Sequence, residues 1–401
     1  MTGLARCVAL EPEKFAAAHW GRAPLLSRAA ELGGGAFTDL LSPDAVDELL
    51  SRRGLRVPFL RAAQNGKVLP VTRFTGAGGA GAEIPDQVLD DEVMKLYAGG
   101  ATLVLQGLHR LWPPLIDFAR RLGTELRRPL QVNAYLTPPG SQGFSTHYDT
   151  HDVFVLQVDG VKRWRIHEPV LADPLDRQPW GGRADEIAAT AQGEPALDVL
   201  LSPGDALYLP RGWLHSAEAQ AARSLHLTVG VRALTRYALV EELLALAADN
   251  ARLRTTLPYG LDVSSPEDLE PELTETVEAL RDWLTHTDPA TVAARLAARD
   301  WPAARPAPLA PLAQLDFAAA LTVSSTISKR DGLSWTVAPD GDHVVLRLTG
   351  RTIRFPAICE AALHRLLTGG PVRVGELPLD SDDDRLVLAR RLLREAVAVP
   401  A

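Results

Sequence analysis

Two histidines, an aspartate and a lysine in the middle of the chain carry the chemistry this sequence can do. In FSTHYDTHDVFVLQVDGVKRWRIHEP, His147 and Asp149 are two residues apart, and on a strand such a pair points to one face, so both can bind one ion. The third candidate ligand is His215, in LSPGDALYLPRGWLHSAE. There a Pro203-Gly204 turn starts a short strand, and a Pro210/Gly212 turn re-aims the chain just before the histidine. Two histidines and one carboxylate form the facial triad of non-haem Fe(II) sites, which leaves coordination positions open for a co-substrate and dioxygen (O2). Zinc hydrolysis is the competing use of the same ligand types. An isolated H-x-D is a weak signal; a second Pro-Gly-framed strand ending in histidine makes it a specific one. His151 would join His147 on one face only in a helix, and the flanking Tyr, Thr, Val and Phe favour a strand. His151 is therefore expected beside the site or at the surface.

Lysine is scarce: only Lys14, Lys67, Lys95, Lys162 and Lys329 occur among 42 basic residues. VFVLQV and VKRWRI flank Asp159-Gly160, a two-residue hairpin signal that would set Val158 against Val161 and Gln157 against Lys162. Val153, Val155, Gln157, Lys162, Trp164 and Ile166 then share the inward face, with Arg163 and Arg165 outward. An unpaired ammonium is costly to bury, so an inward Lys162 calls for a buried anion. Beside a metal triad, that anion is the distal carboxylate of a 2-oxoglutarate molecule chelating the iron. The bland alternative is that Lys162, so close to the turn, snorkels to solvent.

These residues need a sheet to hold them. From Leu130 to about Val231 the period is two, with runs rich in Val, Phe, Trp, Tyr and Thr broken by PPGSQG, DG, PGD and PRG turns, which predicts antiparallel sheet. Before it, LSPDAVDELLSRRG predicts a helix capped by Ser42, and Leu115, Phe118 and Leu122 mark another that starts near Pro113 and Pro114. After it, TRYALVEELLALAADNARLR, PEDLEPELTETVEALRDWLTH and PATVAARLAARDW predict a compact helical unit, with Pro289 in a first helical turn. WPAARPAPLAPLA, residues 301–313, reads as an extended linker because of its four prolines. Beyond it, strands LSWTVAP and HVVLRL around Asp340-Gly341, with helices in AICEAALHRLLTGG and DDDRLVLARRLLREAV, suggest a winged-helix shape. From Leu312 to Ala401 there are 11 basic and 11 acidic residues, which argues for protein packing and against phosphate binding.

The whole chain of 401 residues has 42 basic and 50 acidic side chains, a formal charge of -8, so a generally basic nucleic-acid binder is not expected. No apolar stretch is long enough for a membrane span and the N-terminus has no signal pattern, so a cytoplasmic location is expected. Cys7 and Cys359 stand near opposite ends and give neither a disulfide framework nor a thiolate metal site.

NAYLTPPGSQGFSTHYDTHDVFVLQVDGVKRWRIHEP, PGDALYLPRGWLHSAEA and SLHLTVG together resemble the ribosomal oxygenases of the JmjC group, densely over residues 131–230, with a looser echo in FAAAHWGRAPLL. The resemblance implies a mainly β catalytic core, a double-stranded β-helix (cupin or JmjC jelly roll) over residues 1–235. It further implies a helical dimerisation domain over 236–300 and a linker with a winged-helix-like domain over 301–401. The implied activity is Fe(II)- and 2-oxoglutarate-dependent hydroxylation of a His or Arg side chain in a ribosomal protein, by a homodimer. By the same resemblance, His147, Asp149 and His215 match the iron ligands, Lys162 the basic residue on the 2-oxoglutarate carboxylate, and Asn133 and Tyr135 the contacts to the target side chain. Two positions depart from the pattern. Val104 sits where some members carry a polar or basic contact, and Gly230 where a serine helps hold a target imidazole.

Two other readings remain. One is a hydroxylase of a ribosomally made natural-product precursor peptide, and a helical dimer domain with a charge-neutral winged helix favours a polypeptide over a small metabolite without separating the two polypeptide classes. The other is a non-catalytic metal-binding cupin, which has no need for an inward lysine beside the triad. A zinc-dependent cupin isomerase or hydrolase is a weaker alternative.

Overall fold

The computed structural model of the protein describes residues 2–300 and 305–401, which divide into two compact units, residues 1–233 and 234–401. In the first unit, eight strands form one antiparallel sheet. Its centre is the Ser224–Val231 strand, hydrogen-bonded to Leu130–Thr137 on one side and Asp152–Asp159 on the other. Outward from these lie Ala206–Leu209 and Leu25–Ser27 at one end, and Thr102–Leu105, Leu60–Gln64 and Lys67–Val68 at the other. A second sheet has three strands, with Lys162–His167 between Leu197–Leu201 and Leu214–Ala219.

Alternation along Asp152–Asp159 builds the two cores. Phe154, Leu156 and Val158 pack with Phe15, Val46 and Phe118 in the larger cluster, which takes in the Pro43–Arg52 and Pro113–Leu126 helices. Val153 and Val155 face the other way, packing with Trp164, Ile166, Leu201 and Leu207 between the two sheets. The layers are therefore helices, large sheet and small sheet, with a strand buried on both faces at the centre. Both expected helices are present: Ser42 Oγ accepts the Ala45 N–H at 3.1 Å, and Leu115, Phe118 and Leu122 are all buried.

The expected hairpin at Asp159-Gly160 is not formed. Asp152–Asp159 and Lys162–His167 lie in different sheets and do not pair, so Gln157 is not opposite Lys162. Asp159-Gly160 is instead the corner where the chain leaves one sheet for the other. Gln157 ties it by donating to the carbonyls of Asp159 and Gly160 and to Ser224 Oγ. Gly160 has φ +65°, and a Cβ there would stand 1.8 Å from the Arg223 carbonyl oxygen, so only glycine lets the chains meet at this corner. The face assignment survives the change of pairing, because side chains alternate in either sheet: Lys162, Trp164 and Ile166 are buried, while Arg163 is half-buried on the other face and paired to Asp198.

In the second unit, helices Arg236–Ala247, Pro266–Thr285 and Pro289–Asp300 follow one another, and Arg295 and Arg299 of the last pair with Glu242 and Glu241 of the first. Residues 301–304 of the expected linker lie outside the described residues. Its far end is a correction: Pro311–Ala319 is a helix, with Pro311 at the first helical turn where its missing N–H costs nothing. The expected two-stranded ribbon has a third strand. Trp335–Asp340, His343–Leu348 and Arg351–Pro356 form an antiparallel meander, and the Glu360–Thr368 and Asp382–Arg394 helices share its buried cluster. No helix among the described residues is long and apolar enough to cross a membrane.

Candidate metal centre

The H-x-D pair sits just before a strand rather than on one. The Asp152–Asp159 strand starts after it, and His147 is held by an isolated bridge to His215, with main-chain N–H···O distances of 3.2 and 2.8 Å in the two directions. The segment is extended and runs along the edge of the small sheet, so the two side chains still share a face. His215 is the second residue of Leu214–Ala219, directly after the turn that follows Ala206–Leu209. That turn is pinned to the H-x-D segment by the Gly212 N–H, which donates to the Asp149 carbonyl at 3.0 Å. Asp152, 3% exposed, holds it from the other side, accepting from the Arg211 N–H and the Tyr208 hydroxyl, each at 2.9 Å.

One ligand atom from each of His147, Asp149 and His215 falls within 4.8 Å of the others. His147 Nδ1 lies 2.7 Å from the Ser145 carbonyl and His215 Nδ1 lies 3.1 Å from that of Trp213. A carbonyl accepts only from an N–H, so each ring carries its proton on Nδ1 and presents the Nε2 lone pair to the centre. His215 Nε2 is 3.8 Å from Asp149 Oδ2. Burial and the neighbouring His147 pull the His215 imidazole down to about 4, against the attraction of Asp149. Burial pushes Asp149 up, but His151, His215, His147 and Arg61 outweigh it and hold the carboxyl below its usual value. A neutral His215 imidazole and an ionised Asp149 carboxylate are protonation states a divalent ion requires, and with His147 they make a donor set that fits a metal.

The triad opens onto a cavity of about 350 Å³ walled by Tyr135, Phe144, Trp164, Trp180 and His226, with Lys162 and Arg61 also lining it. Lys162 is 3% exposed, and its Nζ donates to Thr137 Oγ1 at 2.9 Å. Burial alone pulls the ammonium down to about 7, and among the described residues no carboxylate pairs with it. Snorkelling is thereby excluded for this side chain. Tyr135 lies flat on His226, with ring centroids 4.9 Å apart and planes at 6°, and burial pushes its phenol up to about 12. Asn133 is not in the cavity wall; its Oδ1 accepts the Gly107 N–H at 3.1 Å. His151 is outside the ligand set. Its ring packs over Gly230, where a Cβ would lie 2.7 Å from His151 Cδ2, so the imidazole fills the space a larger residue at 230 would need.

Sequence reasoning missed Thr137, His226 and Arg61. Thr137 was within reach of it, since Asn133, Tyr135 and Thr137 alternate on one face of a single strand. His226 is cross-strand from Tyr135 and its Nδ1 is buried without a hydrogen-bond partner. Burial, with Lys162 and His215 adding to it, holds that ring well below its usual value.

A two-sheet barrel that turns two histidines and an aspartate into one cavity defines a cupin-fold protein with a candidate metal centre. Residues 117–239 match the model of the JmjC domain. Over 250 residues the chain is 31% identical to the bifunctional lysine-specific demethylase and histidyl-hydroxylase NO66 of Drosophila persimilis, a match covering 61% of this chain and 34% of that protein. Ribosomal oxygenase 1 of Homo sapiens is 28% identical over 444 residues, covering 96% of this chain and 65% of that protein. The chain thus spans about a third of the length of the Drosophila relative. Among solved structures, the Escherichia coli ribosomal oxygenase YcfD superimposes with a TM-score of 0.51 at 20% identity, covering 98% of both chains. The same protein in complex with cobalt and 2-oxoglutarate gives a TM-score of 0.52 at 19% identity, over 97% of this chain and 98% of that one. Residues 117–239 thus carry a JmjC domain, and the chain is similar to the ribosomal oxygenases.

Proposed function

We propose that the protein is an Fe(II)- and 2-oxoglutarate-dependent oxygenase that hydroxylates a side chain of a polypeptide, a ribosomal protein before any other. The observation that carries this reading is Lys162: a buried ammonium with no carboxylate partner among the described residues, in the cavity that holds the triad. A passive metal cupin has no use for such a charge, whereas a dicarboxylate bound to the metal at one end neutralises it with the other. His147, Asp149 and His215 would hold the iron, which with 2-oxoglutarate and O2 supplies the power to oxidise an unactivated C–H bond. Thr137 keeps Lys162 aimed into the cavity, and the aromatic wall of Tyr135, Phe144 and Trp180 excludes water around the target carbon. The names of the relatives, ribosomal oxygenase and histidyl-hydroxylase, support a ribosomal-protein target. A precursor peptide remains the second substrate class, because a cavity this size admits one side chain whatever the polypeptide behind it. A cytoplasmic homodimer joined through residues 236–300 completes the reading, with residues 305–401 as the winged-helix-like part. The test is to incubate the iron-loaded protein with 2-oxoglutarate, air and a ribosomal-protein extract, then look by mass spectrometry for a polypeptide heavier by one oxygen. Succinate formed with no such product in the extract, but with one in a precursor-peptide pool, would favour the second class.

A further inference from the structure

Arg61 is the second cation of the cavity and forms no ion pair among the described residues. It stands on the Leu60–Gln64 strand directly opposite Val104, Val104 is opposite Tyr135, and Tyr135 is opposite His226, so the four form one cross-strand row. Its guanidinium carbon lies 5.2 Å from the centre of the Phe144 ring, and its Nε is buried without a hydrogen-bond partner. Other arginines of the same unit behave differently. Arg6, Arg28, Arg56, Arg163 and Arg223 each meet an aspartate. Arg61 has no carboxylate partner among the described residues, although its charge reaches Asp149 strongly enough to help hold that carboxyl down. An arginine parked on an aromatic face, with an unsatisfied donor and a clear view of a binding cavity, is placed for an arriving acceptor.

We infer that Arg61 is a specificity-determining residue that grips a carboxylate of the substrate polypeptide, an Asp or Glu side chain near the target residue. This rests on the reading that the cavity receives a polypeptide. A carboxylate suits the planar fork of a guanidinium, which offers two parallel N–H donors, whereas a lone backbone carbonyl would use only one of them. The 2-oxoglutarate carboxylate is not the occupant, because Lys162 already supplies a buried cation for it.

The probes are two sets of fluorescein-labelled random peptides, alike except that one carries Asp and Glu where the other carries Asn and Gln, with binding read by fluorescence anisotropy. Wild type should prefer the acidic set by about tenfold or more. Arg61→Gln should bring the two sets within about threefold, and Arg61→Lys should keep part of the preference because it keeps the charge. Circular dichroism melting checks that both variants are folded, and the Lys variant serves the test if the Gln variant is not. An unchanged preference in folded Arg61→Gln overturns the inference, as does the absence of any preference in wild type. So does a loss of 2-oxoglutarate affinity in Arg61→Gln with the peptide preference intact, which would make Arg61 a co-substrate residue. If wild type makes no succinate yet shows the preference, the oxygenase reading fails and the carboxylate subsite stands.

Discussion

Lys162 Nζ donates to Thr137 Oγ1 across 2.9 Å, joining the small sheet to the large one inside the cavity that holds the triad. A hydroxyl orients an ammonium without neutralising it. The charge is left for a ligand. Truncating one member of a partly desolvated ion pair typically costs ~2–5 kcal/mol, much of it from the partner left unpaired. Lys162→Ala should therefore raise the 2-oxoglutarate requirement for succinate formation about 30-fold or more, with iron affinity little changed. Lys162→Arg should be milder. A midpoint within about threefold of wild type would show that another cation does this work.

The depressed lysine also sets a pH dependence. In the unligated protein Lys162 titrates at about 7, so above that pH it is mostly neutral, and binding a carboxylate must draw a proton from solvent. Apparent 2-oxoglutarate affinity should be flat below about pH 7 and weaken by up to about tenfold per unit above it. The stability of the unligated protein should move the other way. Unfolded Lys162 stays protonated until about pH 10.4 while the folded side chain has already lost its proton, so between the two values rising pH favours the fold. Calorimetric titration at about pH 6 and about pH 9, in buffers of different ionisation enthalpy, measures both the affinity and the proton uptake. Equal affinities with no proton uptake would contradict the assignment.

Asp152 holds the turn that delivers His215. Asp152→Asn offers one acceptor where two donors arrive, the Tyr208 hydroxyl and the Arg211 N–H, and sets its own NH2 against the other. A buried donor left unsatisfied costs about 1–3 kcal/mol, which urea unfolding should show, together with weaker metal binding. A loss below about 0.5 kcal/mol would mean that the turn is fixed by its glycine and prolines alone.

The helices over 236–300 expose Leu239, Val240, Leu244, Leu273, Val277 and Leu284, each at least 40% accessible. So many large apolar side chains in the open predict a homodimer joined there, burying more than ~2,000 Å². Sedimentation should give a dimer at micromolar concentration, and the Leu244→Glu and Val277→Glu variants should shift it toward monomer. A wild-type monomer under those conditions contradicts the dimer.

How much of this was legible in the sequence depended on whether the signal was local. Alternation put Lys162, Trp164 and Ile166 on the inward face, and that holds because period two is a property of the strand itself. The pairing around Asp159-Gly160 was misread, because a two-residue turn signal does not reveal that the strands beside it belong to different sheets. His147, Asp149 and His215 converge as their spacing suggested, though through an isolated bridge and a pinned turn, since a backbone bridge between two ligands has no sequence signature. Arg61 was invisible for the same reason: nothing in LRAAQ says that its strand lies two places from Tyr135. The helix at Pro311 was hidden by the prolines before it, which mark a helix start as readily as a linker.

The most direct test of the central claim is an anaerobic titration of the iron-loaded protein with 2-oxoglutarate, followed by admission of air. The account predicts an iron–oxoglutarate charge-transfer absorbance that saturates at one equivalent and is lost in the His147→Ala, Asp149→Ala and His215→Ala variants, which should stay folded. On exposure to air it predicts conversion of the bound 2-oxoglutarate to succinate. Stoichiometric iron with no charge-transfer absorbance and no succinate would contradict it and leave a cupin that holds metal without turnover.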